Sequence, residues 1–459
     1  MTGIDPAAEP PFPKRYLRLF VLLLFLVCLL NYVDRVIFLL LAQPIKEELA
    51  LSDLQLGFIG GLAFAIFNAV LGLPIARLAD RHNRVRLIAG CVATWSAMTA
   101  LCGLTGSYVQ LLLARIGVGI GEAGFLPPTA SLVGDHFPPA QRGSVVSLIH
   151  LGAPLSGVVA AILTGTVAAT WGWRVAFLVA GLPGFLLAIL LVVLLREPAR
   201  GRFDGAVSID DAPSLLESWR YLVRQRLFRH LLLAGGLATA GMASISQFLP
   251  VYFIRVVGLD VTQAAALYGS VNSIAGALGI LIGGFGMDRL ARRDPRWRAW
   301  GPAIGLVLAA GCYLLAFADG RVAVVGAGIL FASIALFTYV APTLAMLQNL
   351  VGSRLRASTV AIYGIACSLF GAGLGPTLFG WVSDLLATAS FAPGDFAVSC
   401  PGGVPAPGRP ALETACRAAS AAGVRQTMLL WLPLFVWSAL HYLLAARSLR
   451  PLPRAKAPA

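Results

Sequence analysis

Residues Leu17 to Leu41 read LRLFVLLLFLVCLLNYVDRVIFLLL, and this stretch decides the fold. About 20 apolar residues fill the hydrocarbon core of a bilayer, so the run is long enough to cross one. Yet Asn31, Asp34 and Arg35 lie inside it. An ionisable group at that depth costs at least about 3 kcal/mol. Two adjacent opposite charges there either compensate each other against a neighbouring helix or face an aqueous cavity and handle protons or substrate. Intramembrane charges mark function by default, so the second reading leads.

Composition extends this to the whole chain. Of 459 residues, 58% are hydrophobic and only 12% charged, with mean hydropathy +0.81. A soluble protein carries about 25% charge, so a polytopic membrane protein is expected. The net charge of +14 does not point to nucleic acid, because the arginines lie in short loops between apolar runs. Lys14, Arg15 and Arg18 resemble the start of a signal peptide, but the apolar run is too long and lacks a small-residue cleavage site. Cys28, Cys91, Cys102, Cys312 and Cys367 sit in apolar spans and read as packing residues. Cys400 and Cys416 share a Pro/Gly-rich loop, where a disulfide forms if the compartment is oxidising; the sequence leaves that open.

Twelve spans are expected, near 17–41, 54–76, 87–106, 108–132, 142–168, 173–195, 229–254, 263–286, 300–318, 322–346, 357–386 and 426–446. With both termini in the cytoplasm, inner segments hold 26 of the 35 Lys and Arg residues and outer segments 7. The positive-inside rule selects that orientation. The chain then divides into a cytoplasmic tail over 1–16, a six-helix bundle over 17–195, a cytoplasmic linker over 196–228, a second six-helix bundle over 229–446 with a long outer loop at 387–425 (either a partly ordered cap or a flexible excursion), and a cytoplasmic tail over 447–459. Within the linker, Ser214 to Arg226 is amphipathic and suits either a membrane surface or solvent.

The halves echo one another. Asp80-Arg81, followed by Arg84, comes after the second span; Asp288-Arg289 comes after the eighth. Span 5 carries Gly152, Pro154 and Gly157, and span 11 carries Gly373, Gly375, Pro376 and Gly380. Such parallel repeats signal a transporter with its site near the midplane. The fold class is therefore an all-α integral membrane protein of twelve helices in two six-helix pseudo-repeats.

Span 4, RIGVGIGEAGFLPPTASLVGDHF, is the second informative helix. Arg115 and Glu122 share one face, about 10 Å apart along the axis. Counted from the outer ends of their spans, Arg115 and Asp34 lie at the same depth, which makes Arg115 the candidate partner of Asp34, with Glu122 deeper. A carboxylate among arginines can change protonation when an anionic substrate engages those arginines. A buried charge network that merely joins the two spans is the plainer alternative.

Other groups are individually weak. GIGEAG at Gly119 to Gly124 matches a dinucleotide-binding pattern, but no strand precedes it; glycines on a membrane helix instead permit close helix approach. His150 reads as a structural histidine or a proton relay, and His441 has no functional reading. Gln247, Asn272, Thr338, Tyr339 and Tyr363 are polar groups in the second half that either line a cavity or bond between helices. No nucleophile elbow, zinc-protease motif or phosphate-binding loop is present, so no enzyme is expected.

LADRHNRVR after the second span resembles the signature loop of the major facilitator superfamily, with Ala76 and Asn83 departing from its usual form. Arg115 through Glu122 and the Gly-Pro element of span 5 fit the same superfamily. NYVDR at Asn31 to Arg35, with RIGVGIGEAGFLPPTASLVGDHFP, more narrowly resembles the Spinster-type lipid transporters and their bacterial relatives. This resemblance implies alternating access, with proton coupling through Asp34 and Glu122 and an anionic head group met by Arg35 and Arg115. Asn31, Gln247, Asn272, Thr338, Tyr339 and Tyr363 would complete the substrate site. Asp80, Arg81, Arg84, Asp288 and Arg289 would form conformational gates. The expected partners are an amphiphilic or anionic small molecule such as a lysophospholipid or sphingosine 1-phosphate, protons and membrane lipid. The protein is expected to act as a monomer in a bacterial inner membrane, without cofactor, metal or nucleic acid. Small organic carboxylates with protons, or multidrug efflux, are the alternative cargoes; a channel or a transport-derived sensor is the alternative class.

Overall fold

A computed structural model describes residues 12–200, 202, 215–351, 353–392, 394–404 and 409–449. Parts of the expected tails and, within the expected linker, residues 201 and 203–214 lie outside these residues. In chain order the α-helices are α1 Lys14–Leu40, α2 Ala42–Leu49, α3 Asp53–Gly57, α4 Phe64–Arg81, α5 Arg84–Cys102, α6 Tyr108–Glu122, α7 Leu126–His136, α8 Pro139–His150, α9 Gly152–Leu163, α10 Ala169–Leu194 and α11 Leu215–Arg224. There follow α12 Arg226–Arg255, α13 Val261–Leu281, α14 Met287–Ala291, α15 Trp297–Ala318, α16 Val322–Phe337, α17 Val340–Leu350, α18 Ser353–Ala366, α19 Leu374–Ala389, α20 Phe396–Ser399, α21 Pro410–Trp431 and α22 Pro433–Ala446. No strand occurs among the described residues.

Among the described residues eleven helical stretches are long and apolar enough to cross a membrane. One of them, Val145–Leu194, has 50 residues, which is about 75 Å of helix and more than twice the hydrocarbon thickness. It breaks at Gly172, whose φ of 83° and ψ of 167° no helix contains and which glycine adopts without steric cost. Two crossings therefore occupy it, in line with the twelve expected.

Among the described residues four spans are loosened by a π turn, at Phe58–Ala63, Thr164–Ala168, Ile282–Gly286 and Cys367–Gly373. These are the second, fifth, eighth and eleventh crossings, so the wider turn occurs in corresponding crossings of the two halves, though at different points along each.

The chain forms two compact units, residues 1–51, 58–211 and 260–269 in one and 52–57, 212–259 and 270–459 in the other. In the first, α5 lies against α6 and α10, and α1 against α8, α9 and α10. Phe20, Leu24, Val27, Val92, Trp95, Val118, Leu132 and Leu191 fill the core between them. Asn83 caps α5, its side chain accepting from the Arg86 N–H at 2.8 Å.

In the second unit α12 packs on α19, α21 and α22, and α15 on α16 and α22. The short α3 belongs here, against α19. Ser52 and Gln55 form a reciprocal capping box, with bonds of 2.9 and 3.1 Å. Asp384 on α19 then accepts from the Asp53 and Leu54 N–H groups at 3.0 and 2.8 Å, and Ser383 donates to Asp53 at 2.7 Å. Gly380 makes the approach possible, since a Cβ there would stand 2.1 Å from the Asp53 carbonyl oxygen.

Of the two readings of the long loop at 387–425, the described residues fit the partly ordered cap. Phe391, Phe396, Cys400, Cys416 and Ala419 form a small core of their own. A Cys400–Cys416 disulfide closes it, with the Cα atoms 5.6 Å apart. Helix α21 starts at Pro410, so the last crossing is prolonged at its N-terminal end.

Candidate substrate and proton site

The charges of α1 and α6 meet inside the first unit. Asp34 and Glu122 are 1% and 3% exposed. Arg35 holds Glu122 Oε2 from Nε at 2.6 Å and from Nη2 at 2.6 Å. The Arg35 side chain keeps 36% of its surface open while that of Glu122 keeps none, so the pair has one reachable partner and one hidden one. Glu122 ends α6, where the Pro127-Pro128 step at the start of α7 interrupts the crossing. Proline lacks the N–H that would continue the ladder.

Arg115 takes a different place from the one its depth suggested. It donates from Nη1 to the backbone carbonyl of Asp34 at 3.4 Å, and not to the carboxylate. Its guanidinium lies over Phe38, 4.6 Å from the ring centre, and is 2% exposed. Equal depth brought the two spans level; the helical phase then turned the Asp34 carboxylate away. Glu122, expected deeper and farther off, is instead in direct contact with Arg35. Phe64 on α4 stands between the arginines, its ring centre 4.8 Å from Arg35 and 5.7 Å from Arg115. Stacking of this kind steadies a cation without consuming its hydrogen-bond donors.

Five buried polar atoms around these residues make no hydrogen bond of ordinary geometry: Asn31 Nδ2, Asp34 Oδ1, Thr99 Oγ1, Arg115 Nε and Glu122 Oε1. Thr99 neighbours Asp34, and Asn31 neighbours Glu122. Buried polar groups are otherwise nearly always paired, and each exception asks for an explanation. Their concentration here, in a place that costs several kcal/mol to build, makes this cluster the candidate site.

The second unit gathers hydroxyls. Tyr339 shares a hydrogen bond with Thr239 at 3.2 Å, and Thr343 shares one with Tyr442 at 2.5 Å. Tyr363 packs its hydroxyl against Gly235. Two of the expected polar groups spend their bonds on the fold: Gln247 donates to the Leu56 carbonyl at 2.9 Å, and Thr338 to the Ala335 carbonyl at 2.6 Å. Asn272 is half-buried on α13, and His150 half-buried at the end of α8. His441, which carried no reading, lies 3.1 Å from His230, Nδ1 to Nδ1.

Of the gate residues, the Asp80 side chain lies outside the described residues, and Arg81 is exposed. Arg84 is 1% exposed and works as a staple of the first unit. It donates to Asp135 at 2.5 Å, Glu197 at 2.6 Å and Ser131 at 2.7 Å. Glu197 in turn accepts the Arg84 and Val85 N–H groups at 2.8 and 3.2 Å, capping α5. Asp288 and Arg289 are exposed, with Asp288 3.8 Å from Arg298. Phe64, Thr99 and Glu197 carried no signal in the sequence beyond their residue type.

The family model of the major facilitator superfamily matches residues 24–376. The chain belongs to the major facilitator superfamily. It is 36% identical to an MFS-type efflux pump of Mycolicibacterium smegmatis, over 79% of this chain and 83% of that one. It is 26% identical to a hexuronate transporter of Bacillus subtilis, over 81% and 89%. It is equally 26% identical to a sphingosine-1-phosphate transporter of Xenopus tropicalis, over 78% and 72%. Among solved structures, a bacterial homologue of the human lysosomal transporter Spinster superposes with a TM-score of 0.85 and 32% identity, covering 95% and 98% of the two chains. The superfamily protein described here is thus a multi-pass membrane transporter similar to Spinster, and not an enzyme.

Proposed function

We propose that this transporter is proton-coupled and moves an amphiphilic organic anion of the lysophospholipid or sphingolipid phosphate kind. The observation that carries the reading is the Arg35–Glu122 pair, with its open cation and enclosed carboxylate. An anionic head group arriving at Arg35 competes with Glu122 for the same donors. A buried carboxylate that loses its counter-ion binds a proton more readily. Anion binding and proton binding are then linked through one arginine, and Asp34, with its unpaired Oδ1, takes or passes the second charge. Alternating access of the two halves would carry both across, with Arg81, Asp288 and Arg289 acting at the gates.

Both termini are assigned to the cytoplasm of a bacterial plasma membrane. The Lys and Arg distribution supports this. So does the Cys400–Cys416 disulfide, which belongs on an oxidising side.

A proton-linked carrier of small carboxylates is the second reading, favoured by the likeness to the hexuronate transporter. Flux of a labelled lysophospholipid into proteoliposomes under an imposed pH gradient separates the two. Gradient-driven flux that disappears in Asp34→Asn is the expected result. Absence of lipid flux, with hexuronate uptake under the same gradient, would overturn the lipid reading and keep the carrier.

A further inference from the structure

Away from the charged site, an open groove of about 650 Å³ runs along the Arg81 end of α4, lined by Val70, Pro74, Arg77, Leu78, Arg81 and His82. Spacings of four, seven, eight, eleven and twelve from Val70 put these residues on one helical face. The chemistry is graded along it. Val70 and Leu78 are 58% and 42% exposed and, with Pro74, make the wall apolar. Arg77, Arg81 and His82 gather at the mouth, all exposed. From Val70 to Arg81 the helix rises about 16 Å, the distance from acyl chains to head groups in one leaflet. His82 Nδ1 lies 3.2 Å from the Leu78 carbonyl. Neither Arg77 nor Arg81 has a hydrogen bond or ion pair among the described residues, and the nearby carboxylates Glu197 and Asp135 are engaged by Arg84.

We infer that this groove is a binding site for an anionic membrane phospholipid. The phosphate sits against Arg77 and Arg81, and one acyl chain lies along Leu78, Pro74 and Val70. The basic mouth selects a net-negative head group, since a zwitterion returns a positive charge to a cluster that is already positive. The apolar wall at hydrocarbon depth calls for a tail, which free phosphate lacks. The inference is independent of which cargo the transporter carries.

The test is lipid retention by the full chain, purified in detergent with equal phosphatidylglycerol and phosphatidylcholine of the same acyl chains, read by native mass spectrometry. Wild type is expected to retain phosphatidylglycerol preferentially. Arg77→Gln and Arg81→Gln each lower that preference by about fivefold, and the double variant removes it. Arg292→Gln, an exposed arginine elsewhere, is expected to leave it intact. Equal retention of the two lipids by wild type, or an undiminished preference in the double variant, would overturn the proposal. So would displacement of the retained lipid by stoichiometric lysophosphatidylglycerol, which would assign the groove to a single-chain cargo.

Discussion

Arg255 and Asp53 face each other as a two-pronged pair, Nη1 on Oδ2 and Nη2 on Oδ1, each at 2.9 Å. Their side chains are 5% and 2% exposed. A planar guanidinium matched to a planar carboxylate is the strongest form of ion pair, and removing one member of a buried pair costs about 3–5 kcal/mol. Arg255→Leu is therefore expected to lower the melting temperature of the purified protein markedly. Asp53→Leu/Arg255→Leu is expected to recover much of the loss, because the double change leaves no unpaired charge. A double variant as unstable as the sum of the singles would show that the pair itself carries no coupling.

Glu122→Gln should separate exchange from accumulation. The amide keeps an acceptor for Arg35 but removes the titrating group. Exchange of cargo at equal pH on both sides is expected to persist, while uphill accumulation under a pH gradient falls at least tenfold. Counterflow and gradient-driven uptake in the same proteoliposomes measure the two. Unchanged accumulation would place proton coupling elsewhere.

Arg84 joins α5, α7 and the segment after α10 through Asp135, Ser131 and Glu197. Arg84→Met is expected to destabilise the protein by about 3 kcal/mol. Glu197→Gln is expected to cost less, because its amide oxygen still caps α5. Thermal unfolding in detergent ranks them; a harmless Arg84→Met would reduce the staple to packing.

Asp319, between α15 and α16, is held at about 2 by the hydrogen bonds of Arg321, chiefly from its side chain and then from its N–H. The ordinary value is 3.8. A carboxyl depressed on folding stabilises the folded state above its unfolded value and loses that effect as the pH falls through its folded one. Asp319→Asn is thus expected to melt slightly below wild type at pH 5–7, with the gap closing between about pH 4 and pH 2. Because the pair is exposed, added salt should shrink the gap too. A gap that widens with acid would contradict the assignment.

Much of this architecture was legible because a bilayer leaves so few options. Charges within apolar runs stand out, which exposed Asp34, Arg35, Arg115 and Glu122 at once, and their depths followed from helical rise. Their pairing did not, because the azimuth of one helix against its neighbour depends on packing that no single span encodes. Arg115 shows it: level with Asp34, it meets only that residue's carbonyl. Phe64 was hidden among 24 phenylalanines. Gln247 and Thr338, which bond backbone carbonyls, stayed open in the sequence because a polar residue in a span either faces a cavity or satisfies a backbone group, and residue type does not distinguish these. Asp53 sits at the end of a span, where charge raises no alarm, although the Ser52-x-x-Gln55 capping pattern was readable. The order of the 387–425 segment stayed open in the sequence because its Pro/Gly content, concentrated early, masked a helix that begins at Pro410.

Each π turn contains one residue more than an α-helical turn would need. Deleting a residue from an ordinary helix rotates everything beyond it by about 100°, which would swing Phe64 and Asn68 away from α6. Deleting one within Phe58–Ala63 would instead tighten the wide turn into a regular one, leaving the flanks in phase. The second, fifth, eighth and eleventh crossings of this chain therefore each carry a spare residue, and these are the places where its helices can shorten without changing which side chains they present.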